Sequence, residues 1–529
     1  MEFSQEQLDI FDFAEYGVQN LIVQAVAGAG KTTTLIECAN RISPDKKILL
    51  LAHNKSTRDT LKERIGNKPN VSVYTLHGLG WRMFAEHFEK TPMLSEDKYW
   101  SYVNQNLDSI AGDEYMRLKP VVKMNYKSNV LDLINKSRQN LKQSEKEIKK
   151  LAKRKYGMNL IGNEAKTVSD ILKWGANSLD TVDFLDLLWL PSEKGYFTKK
   201  YTADIIMLDE AQDASLAQQD VVSRCFTRST RLFAFGDRDQ TINSWAGSDT
   251  EAFDHLKDSS TFRRDAKELP LTTNYRCGKK IIEYAKQYTN NGIKARIGAP
   301  DGEIIFNAHL SNIKDGDMVL CRNIAPLMEV YRTCLNNGKK VYFRGEQLGK
   351  NLISNVDCTS GDSIKEIITD MKKRLISLWH FIASENNILL EEAASDFRVV
   401  KLLDSIQAME SLPKTVETRN DFKKFVEDVF SDEGKEGIEL STIHRAKGLE
   451  ADNVFVICPS LIPSKLSTLD WQIEEEQHLL YVMCTRPKNT LNFVSEDEVK
   501  PFIAFADGKT MEKELIKIQE SFETLDFEI

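Results

Sequence analysis

The sequence predicts an α/β protein with parallel sheets, and three observations support this fold class. The first is a short apolar strand, residues 21–23, followed by a glycine-containing loop, residues 24–32, and then by a helical pattern. The second is the return of buried-strand patterns between helical ones, at residues 47–51, 71–74, 204–208, 231–235, 318–321, 340–343, 438–444 and 453–457. The third is that polar residues directly follow several of these strands, which is typical of the ligand-binding edge of a parallel sheet.

The composition is that of a globular protein. The chain has 529 residues, of which 41% are hydrophobic and 28% charged, and this length predicts about three to four domains or subdomains. No apolar run approaches the roughly 20 residues that span a bilayer, and the first residues lack an apolar signal segment. We therefore expect a cytoplasmic protein, or a nucleoid or nuclear one in a eukaryotic host, without a membrane partner.

The net charge of −8 has the wrong sign for a protein whose whole surface binds nucleic acid. Any path for nucleic acid must then be a local basic strip. The eight cysteines are scattered and form no Cys-x-x-Cys pair, which predicts small buried side chains in a reducing compartment. We expect no zinc site, no iron–sulfur cluster and no disulfide.

The loop at residues 24–32, Gln-Ala-Val-Ala-Gly-Ala-Gly-Lys-Thr, has the composition of a phosphate-binding loop. Glycines allow backbone N–H groups to turn towards an anion, and the following helix adds the positive end of its dipole. Lys31 is predicted to reach the β- and γ-phosphates of a nucleotide, and Thr32 to offer its hydroxyl to Mg²⁺. Ala25 stands where this pattern usually has its first glycine, whereas Gly28 and Gly30 are present. The alternative is a chance glycine turn before a core helix.

Residues 205–208 are apolar and lead into Asp209 and Glu210, the arrangement that a phosphate-loop ATPase needs for its metal and its base. Asp209 is predicted to hold the Mg²⁺ shell, and Glu210 to orient and deprotonate the attacking water. An acidic helix start is the alternative. Further along, Gln240 follows the strand at 231–235, and a glutamine close to the γ-phosphate could act with Trp245 to link hydrolysis to a stacked base. Trp245 is equally typical of a core aromatic residue.

Two more features have both a functional and a structural interpretation. Gln7 lies in a helix that Ser4 is predicted to cap, and its amide can read an adenine edge, although a lone glutamine is more often a surface residue. The residues after the strands at 47–51 and 71–74, Ala-His-Asn-Lys and Thr-Leu-His-Gly, could line one binding face or could be ordinary loops and helix caps.

Residues 90–180 are predicted to be helical, and they contain the most basic part of the chain. The cationic residues here are Arg117, Lys119, Lys123, Lys127, Lys136, Arg138, Lys142, Lys146, Lys149, Lys150, Lys153, Arg154 and Lys155. Such a strip could neutralise phosphates, with Tyr126 and Tyr156 available to stack on bases. A solvated helical face is an equally good alternative.

The pattern divides the chain into two α/β domains, each interrupted by a mainly helical insertion. The first domain comprises residues 1–89 and 178–270, and its insertion comprises residues 90–177. The second domain comprises residues 271–351 and 436–529, and its insertion comprises residues 352–435. The tail from Met511 to Ile529 is acidic and amphipathic, which is more typical of a docking helix or of a disordered end than of a functional site.

Taken in order, these stretches closely resemble the UvrD/Rep-type superfamily 1 DNA helicases. Gln7 stands at the position of the family's adenine-reading glutamine, and the six helicase motifs match residues 25–32, 209–213, 236–245, 274–276, 442–450 and 481–486. Residues 183–188, Asp-Phe-Leu-Asp-Leu-Leu, match a further family signature. The motifs span nearly the whole chain in the family's order, so the resemblance is highly specific. Residues 51–55 are closer to the F-box DNA helicase branch, although no F-box is visible.

The resemblance implies two tandem RecA-like domains that hold ATP and Mg²⁺ between them, with a single strand of DNA running across both. The catalytic residues that it implies are Lys31, Glu210, Gln240, Arg276 and Arg486, the last two as arginine fingers. The nucleotide-binding residues that it implies are Gln7, Ala27, Gly28, Ala29, Gly30, Lys31, Thr32, Thr33, Tyr275 and Glu450, and the metal ligands are Thr32 and Asp209. The DNA-binding residues that it implies are Asn54, Thr75, His77, Trp245, Arg322, Thr442 and His444.

The function that the resemblance implies is ATP-dependent movement 3′ to 5′ along single-stranded DNA, coupled to strand separation in replication, repair or recombination. The substrates would be single-stranded and tailed duplex DNA, and the protein by itself would be a monomer. A single-strand-binding protein, a recombinase or a nuclease is a candidate partner.

The sequence also departs from the family pattern. Ala52, Asn243 and Ala246 replace an aromatic residue, a tyrosine and an arginine that are common in the family, and the second insertion is short. Two alternatives therefore stay open: a translocase that strips proteins from single strands, and a nucleic-acid-sensing ATPase subunit that controls a nuclease or another effector.

Overall fold

The computed structural model describes residues 3–88, 91–196, 199–244, 247, 251–386, 388–467, 469–499 and 507–523. The chain divides into two compact units, Met1–Asn274 and Tyr275–Ile529. Each unit is built on its own parallel sheet with helices packed against it, which confirms the predicted α/β class. Within the described ranges, no helix combines the length and the apolar composition needed to cross a membrane.

The first unit alternates strands with helices along most of its length. Its strands are β1 (Asn20–Ala25), β2 (Ile48–Ala52), β3 (Val71–Thr75), β4 (Met93–Leu94), β5 (Thr181–Val182), β6 (Ile205–Leu208), β7 (Arg231–Gly236), β8 (Ala266–Leu271) and β9 (Thr273–Asn274). Its helices are α1 (Gln5–Tyr16), α2 (Lys31–Arg41), α3 (Lys55–Ile65), α4 (Leu76–Ala85), α5 (Lys98–Met116), α6 (Pro120–Gln139), α7 (Glu145–Tyr156), α8 (Glu164–Asn177), α9 (Asp186–Glu193), α10 (Leu216–Ser223), α11 (Ala252–Lys257) and α12 (Ser259–Phe262).

The order of the strands decides which loops of the first unit lie together. Six strands form a sheet in the order β3-β2-β6-β7-β1-β8, and their registered pairs run parallel. In the three neighbours β6, β7 and β1, Leu208 lies opposite Ala234 and Gln24 lies opposite Gly236. These three strands are almost entirely buried, as apolar runs in a parallel sheet usually are. The loops that leave β1, β6 and β7 therefore begin at one edge of the sheet, although they are far apart in sequence.

A helical segment, α5 to α8, lies between β4 and β5. These two short strands pair in parallel, with Met93 opposite Thr181, so the chain leaves and returns at the same place. A buried charge cluster joins the segment to α9. Asp186 is fully buried and accepts hydrogen bonds from Lys98 Nζ at 2.6 Å and from the Tyr99 hydroxyl at 2.8 Å, while Arg138 Nη1 lies 2.9 Å away. A buried carboxylate needs such partners, since an unpaired charge in the interior is very costly.

The cationic residues of this segment do not form one continuous strip. Arg138 is only 1% exposed and pairs with Asp183 at 2.7 Å as well as with Asp186. Tyr126 and Tyr156 are also buried, so the prediction that both are available for base stacking is wrong. The physical reason is that α6, α7 and α8 pack on one another with these rings between them. The exposed cations of α7 remain on the surface: Lys146, Lys149, Lys150, Lys153 and Arg154.

The second unit repeats the alternation around a larger sheet. Its strands are β10 (Lys294–Ala295), β11 (Glu303–Ala308), β12 (Met318–Cys321), β13 (Val341–Arg344), β14 (Phe430–Ser431), β15 (Ile438–Thr442), β16 (Ala451–Val456) and β17 (Pro487–Val494). Its helices are α13 (Lys279–Ala285), α14 (Ile324–Asn336), α15 (Glu346–Asp357), α16 (Ile364–Asn386), α17 (Leu390–Ala394), α18 (Phe397–Glu410), α19 (Arg419–Val429), α20 (Asp470–Cys484) and α21 (Gly508–Glu523). Seven strands form a parallel sheet in the order β11-β17-β16-β12-β15-β13-β14.

Helices α15 to α19 share one hydrophobic core with this sheet. The core includes Val319 of β12, Leu403 of α18 and Leu515 of α21. A polar contact reinforces the packing, because Asp404 of α18 accepts hydrogen bonds from the first backbone N–H groups of α14 at 2.9 and 3.1 Å. The segment predicted as the second insertion is thus packed into the second unit.

The C-terminal helix α21 packs against α16 and α17. Leu515 is fully buried, whereas its neighbour Ile516 is 40% exposed. The interpretation of the tail as a docking helix is therefore confirmed for residues 508–523, and residues 524–529 lie outside the described part of the chain.

We expect Leu515→Ala to lower the free energy of unfolding by about 2–5 kcal/mol, since it removes a buried side chain and leaves a cavity. Ile516→Ala, on the same helix but facing solvent, should change it by less than about 1 kcal/mol. Urea unfolding followed by circular dichroism measures both. Equal losses in the two variants would contradict the docking of α21.

Candidate functional site

The phosphate-loop candidate lies between β1 and α2, as the sequence predicts. Gly28 and Gly30 adopt φ values of 65° and 76°, the left-handed region that favours glycine. A Cβ added to Gly30 would meet only the Gln7 amide nitrogen, at 3.9 Å, so backbone conformation rather than lack of space requires glycine there. No side chain caps the start of α2, and its first N–H groups face the loop edge where an anion can satisfy them. The loop therefore has the backbone features of a phosphate cradle.

Lys31 lies beside three carboxylates, with 11% of its side chain exposed. Its Nζ lies 3.0 Å from Glu210 Oε1 and 3.1 Å from Glu210 Oε2. Burial alone lowers the pKa of Lys31, but Glu210, Asp237 and Asp209 together raise it above its usual value, so the ammonium stays charged. The structure thus brings the loop after β1 together with the loops after β6 and β7.

The site contains three carboxylates, those of Asp209, Glu210 and Asp237, around one cation, Lys31. Burial, and then the charge of Glu210, raise the pKa of Asp209 to about 7, and burial raises the pKa of Asp237 to about 6. Both shifts mean that an additional positive charge would be stabilised here. Thr32 and Asp209 could supply a hydroxyl and a carboxylate oxygen, which suits Mg²⁺ because it takes one or two protein ligands together with phosphate oxygens. The donor set therefore fits Mg²⁺ bound with a nucleotide.

Two glutamines fix the acidic side chains. Gln212 Nε2 donates to Glu210 Oε2 at 2.6 Å, and the backbone N–H of Asp237 donates to Gln212 Oε1 at 3.0 Å. Gln240 Nε2 donates to Asp237 Oδ2 at 2.6 Å. Glu210 has φ 50°, a left-handed conformation that is strained for a residue with a side chain and that turns its carboxylate towards Lys31. Such strain recurs at functional sites.

The sequence did not assign roles to Gln212, Asp237 or Asn274, although all three stand within the quoted motifs. Asn274 Nδ2 donates to the carbonyl of Ala27 at 2.6 Å and so holds the phosphate loop from behind. One sequence signal could have identified these residues: each is a polar residue that follows closely on the end of a strand or lies at it, where burial is expected. Buried amides and carboxylates need hydrogen-bond partners, so they tend to contact one another.

Gln7 lies beside the phosphate loop rather than on the surface. It is 5% exposed, so its interpretation as an ordinary surface glutamine is wrong. Its Oε1 accepts from the N–H of Ser4 at 3.0 Å, which completes the predicted cap of α1, and its Nε2 donates to Thr34 Oγ1 at 3.0 Å. Burial follows because α1 packs on α2. The preceding residue of α2, Thr33, accepts a hydrogen bond from Arg64 Nη2 at 3.0 Å.

In the second unit, the two predicted arginine fingers lie beside the same residue, Thr485. Arg276 Nη1 donates to the Thr485 carbonyl at 3.1 Å, and Arg486 Nη2 donates to the Thr485 hydroxyl at 2.9 Å. Arg486 is 1% exposed and also donates to the carbonyls of Val482 and Leu449. Backbone carbonyls therefore hold its guanidinium in a fixed position at the end of α20.

Two of the predicted nucleotide-binding residues lie near Arg276. Glu450 contacts it, and Tyr275 precedes it in the sequence. Glu450 pairs with Arg276 Nε at 2.6 Å and with Lys488 Nζ at 3.0 Å. Burial raises the pKa of Glu450, but the two cations hold it below its usual value, so the carboxylate stays ionised. Tyr275 is 41% exposed, as a residue that stacks on a base would be. Lys488 had no assigned role in the sequence.

Two of the predicted DNA-binding residues of the first unit are helix caps. Asn54 Oδ1 accepts from the N–H of Thr57 at 2.8 Å at the start of α3, and Thr75 Oγ1 accepts from the N–H of Gly78 at 3.0 Å at the start of α4. Both therefore fit the structural interpretation of these strand ends. His77 is half-buried, and burial, then His53, lower its pKa to about 4, so its imidazole is neutral. Trp245 lies outside the described residues.

The predicted DNA-binding residues of the second unit lie at the ends of two adjacent strands. Cys321 of β12 is opposite Thr442 of β15, so Arg322 and His444 follow neighbouring strand ends. Burial, and then Arg322 and Arg445, lower the pKa of His444 well below its usual value. The structure thus brings Arg322, Thr442 and His444 to one sheet edge.

Comparison with known proteins identifies the family. A model of the UvrD/REP helicase N-terminal domain matches residues 6–261, and a model of the UvrD-like helicase C-terminal domain matches residues 362–498. The two matches together span most of the chain, and the chain belongs to the UvrD/Rep family of ATP-dependent DNA helicases. The predicted family and the two tandem RecA-like domains are confirmed.

Three relatives show how distant the similarity is. A probable DNA helicase of Mycoplasma pneumoniae (strain ATCC 29342 / M129 / Subtype 1) is 24% identical over 530 residues, which cover 94% of this chain and 85% of that protein. F-box DNA helicase protein 1 of Schizosaccharomyces pombe (strain 972 / ATCC 24843) is 23% identical over 509 residues. The match covers 89% of this chain and 55% of that protein. A probable DNA helicase II homolog of the same Mycoplasma is 26% identical over 318 residues. The match covers 55% of this chain and 43% of that protein.

Proposed function

We propose that this protein is an ATP-driven motor that moves 3′ to 5′ along single-stranded DNA and separates duplex strands as it moves. The observation that carries the proposal is the contact of Lys31 with Glu210, beside Asp209 and on loops that follow adjacent strands. Family membership supports ATP and DNA as substrates. The direction of movement rests on the resemblance of the motifs to those of the family.

In this proposal, Lys31 and the N–H groups at the start of α2 bind the β- and γ-phosphates. The phosphates replace Glu210 as the anionic partner of Lys31, because both compete for the same ammonium. Glu210 then orients the attacking water and takes its proton, while Gln212 keeps the carboxylate in place. Thr32 and Asp209 would hold Mg²⁺, which would draw negative charge from the phosphates.

The second unit carries the remaining candidate residues. Tyr275 offers an exposed ring for adenine, and Arg276 and Arg486 are the candidate arginine fingers. Arg322 can bind a strand phosphate, whereas His444, being neutral, contacts the strand by stacking or by a hydrogen bond and not as a cation. Single-strand-binding proteins, recombinases and nucleases stay candidate partners, and replication, repair and recombination stay candidate processes.

The experiment that tests this function is strand displacement from duplexes that carry either a 3′ or a 5′ single-stranded tail, with ATP and Mg²⁺. We expect displacement only from the duplex with the 3′ tail, because a 3′-to-5′ motor needs that tail to load. Displacement from the 5′ tail alone would reverse the proposed direction. Strand-stimulated ATP hydrolysis without any displacement would favour a protein-stripping translocase or a sensing subunit.

Lys31→Ala should lower the maximal rate of ATP hydrolysis by at least about 100-fold, since it removes the charge that binds the phosphates. A coupled assay of ADP release measures this rate. Lys62→Ala, which removes an exposed lysine on α3, is the matched control and should hydrolyse ATP at the wild-type rate. Substantial hydrolysis by Lys31→Ala would show that the phosphate site lies elsewhere.

Glu210→Gln should still bind ATP and single-stranded DNA but should hydrolyse ATP about 10²–10⁴-fold more slowly, because an amide cannot accept the proton of water. Equilibrium binding of a fluorescent nucleotide and single-turnover hydrolysis separate the two effects. Glu63→Gln, on the exposed face of α3, controls for the loss of one negative charge. Wild-type hydrolysis by Glu210→Gln would remove Glu210 from the role of base.

A further inference from the structure

Arg322 is held by a buried carboxylate of another element. Its Nε and Nη2 both donate to Glu476 Oε1, at 2.9 and 2.6 Å, and Nε also lies 3.3 Å from Oε2. Two nitrogens of the guanidinium thus contact one carboxylate, a two-pronged contact that restricts the orientation of the guanidinium. Glu476 lies on α20, and its other oxygen accepts from the backbone N–H of Ser464 at 2.8 Å. Glu476 has no role that the sequence alone predicts.

Glu476 is more deeply buried than Arg322. The Glu476 side chain is 4% exposed, whereas the Arg322 side chain is 26% exposed. Burial lowers the pKa of Arg322, but Glu476 more than offsets it, so the guanidinium stays charged. Glu476 engages Nε and Nη2, which leaves the Nη1 edge of Arg322 for a phosphate. Arg322 can therefore bind a strand without leaving Glu476.

Helix α20 connects this pair to the candidate arginine fingers. Glu476 lies about 12 Å before the end of α20, at 1.5 Å per residue. At that end, Arg486 Nε donates to the Val482 carbonyl in the last turn, and Arg276 donates to the Thr485 carbonyl at the C-cap. An unbroken helix is stiff over this length, so a displacement at Glu476 reaches both arginines.

We propose that Glu476 is a positioning residue that couples strand binding to ATP hydrolysis. It holds Arg322 in a fixed orientation towards a strand phosphate and transmits the position of the strand through α20 to Arg486 and Arg276. This inference rests on the proposed function, since it requires hydrolysis that a strand stimulates. Beyond that function, it identifies Glu476 as the residue through which a bound strand stimulates ATP hydrolysis.

The test compares Glu476→Gln with Glu474→Gln, which removes an exposed carboxylate from the same helix. ATP hydrolysis is measured against the concentration of a single-stranded oligonucleotide, which gives the basal rate, the half-saturating concentration and the maximal stimulation. Glutamine keeps the shape of the side chain and one accepting oxygen, for Arg322 or for Ser464, but its amide nitrogen cannot accept from the other, so the persistence of the fold has to be measured. Thermal unfolding of each variant checks this point.

We expect Glu476→Gln to keep the basal rate and a half-saturating concentration no higher than that of the wild type, while its maximal stimulation falls roughly fivefold or more. Glu474→Gln should match the wild type in all three quantities. Full stimulation of Glu476→Gln would overturn the inference. Parallel losses of basal rate, stimulation and thermal stability would also overturn it, because they would show a purely structural role.

A second variant keeps the inference testable if Glu476→Gln does not fold. Arg322→Lys keeps the positive charge for a phosphate but loses the two-pronged contact with Glu476. We expect its maximal stimulation to fall while its half-saturating concentration changes by less than about threefold, a split that loss of strand affinity alone would not produce. If no single strand stimulates the wild-type protein, the proposed function itself fails and the inference fails with it.

Discussion

The burial of one lysine among three carboxylates is the constraint on which the first unit depends. Lys31, Asp209, Glu210 and Asp237 come from three loops, and only the strand order β6-β7-β1 brings these loops to one edge. Charges that leave water need partners close by, so the glutamines between them and the strained backbone of Glu210 follow from the same requirement. The remaining negative charge is what prepares the site for a cation.

In the second unit, hydrogen-bond acceptors hold the cationic side chains of the predicted site in place. Arg276 and Lys488 share Glu450, and Arg322 is bound by Glu476. Arg486 is held by backbone carbonyls instead, which fixes its direction without neutralising its charge. Acceptors on neighbouring elements thus orient each guanidinium, and orientation is what a planar group needs in order to recognise carboxylate or phosphate oxygens.

The helical segments contain charged residues of two kinds, buried ones that join elements and exposed ones that face solvent. In the first unit, Lys98 and Arg138 belong to a buried charge cluster with Asp186, whereas the cations of α7 face solvent. Counting basic residues along the sequence cannot separate these two groups, because the count does not say which side of a helix is covered. In the second unit, Asp404 joins α18 to α14, so the helical segment and the sheet share one core.

The sequence by itself determined the α/β class, the glycine loop between β1 and α2, and the acidic strand end, because these depend on local rules. Gly28 and Gly30 are required by backbone conformation, and an apolar strand before Asp209 is visible as an uninterrupted run. Only the tertiary structure decided that Gln7 is buried and that Tyr126 is a core residue. It alone paired Arg322 with Glu476, since residues so distant in sequence meet only when strand order and helix packing bring them together, and no local periodicity encodes that contact.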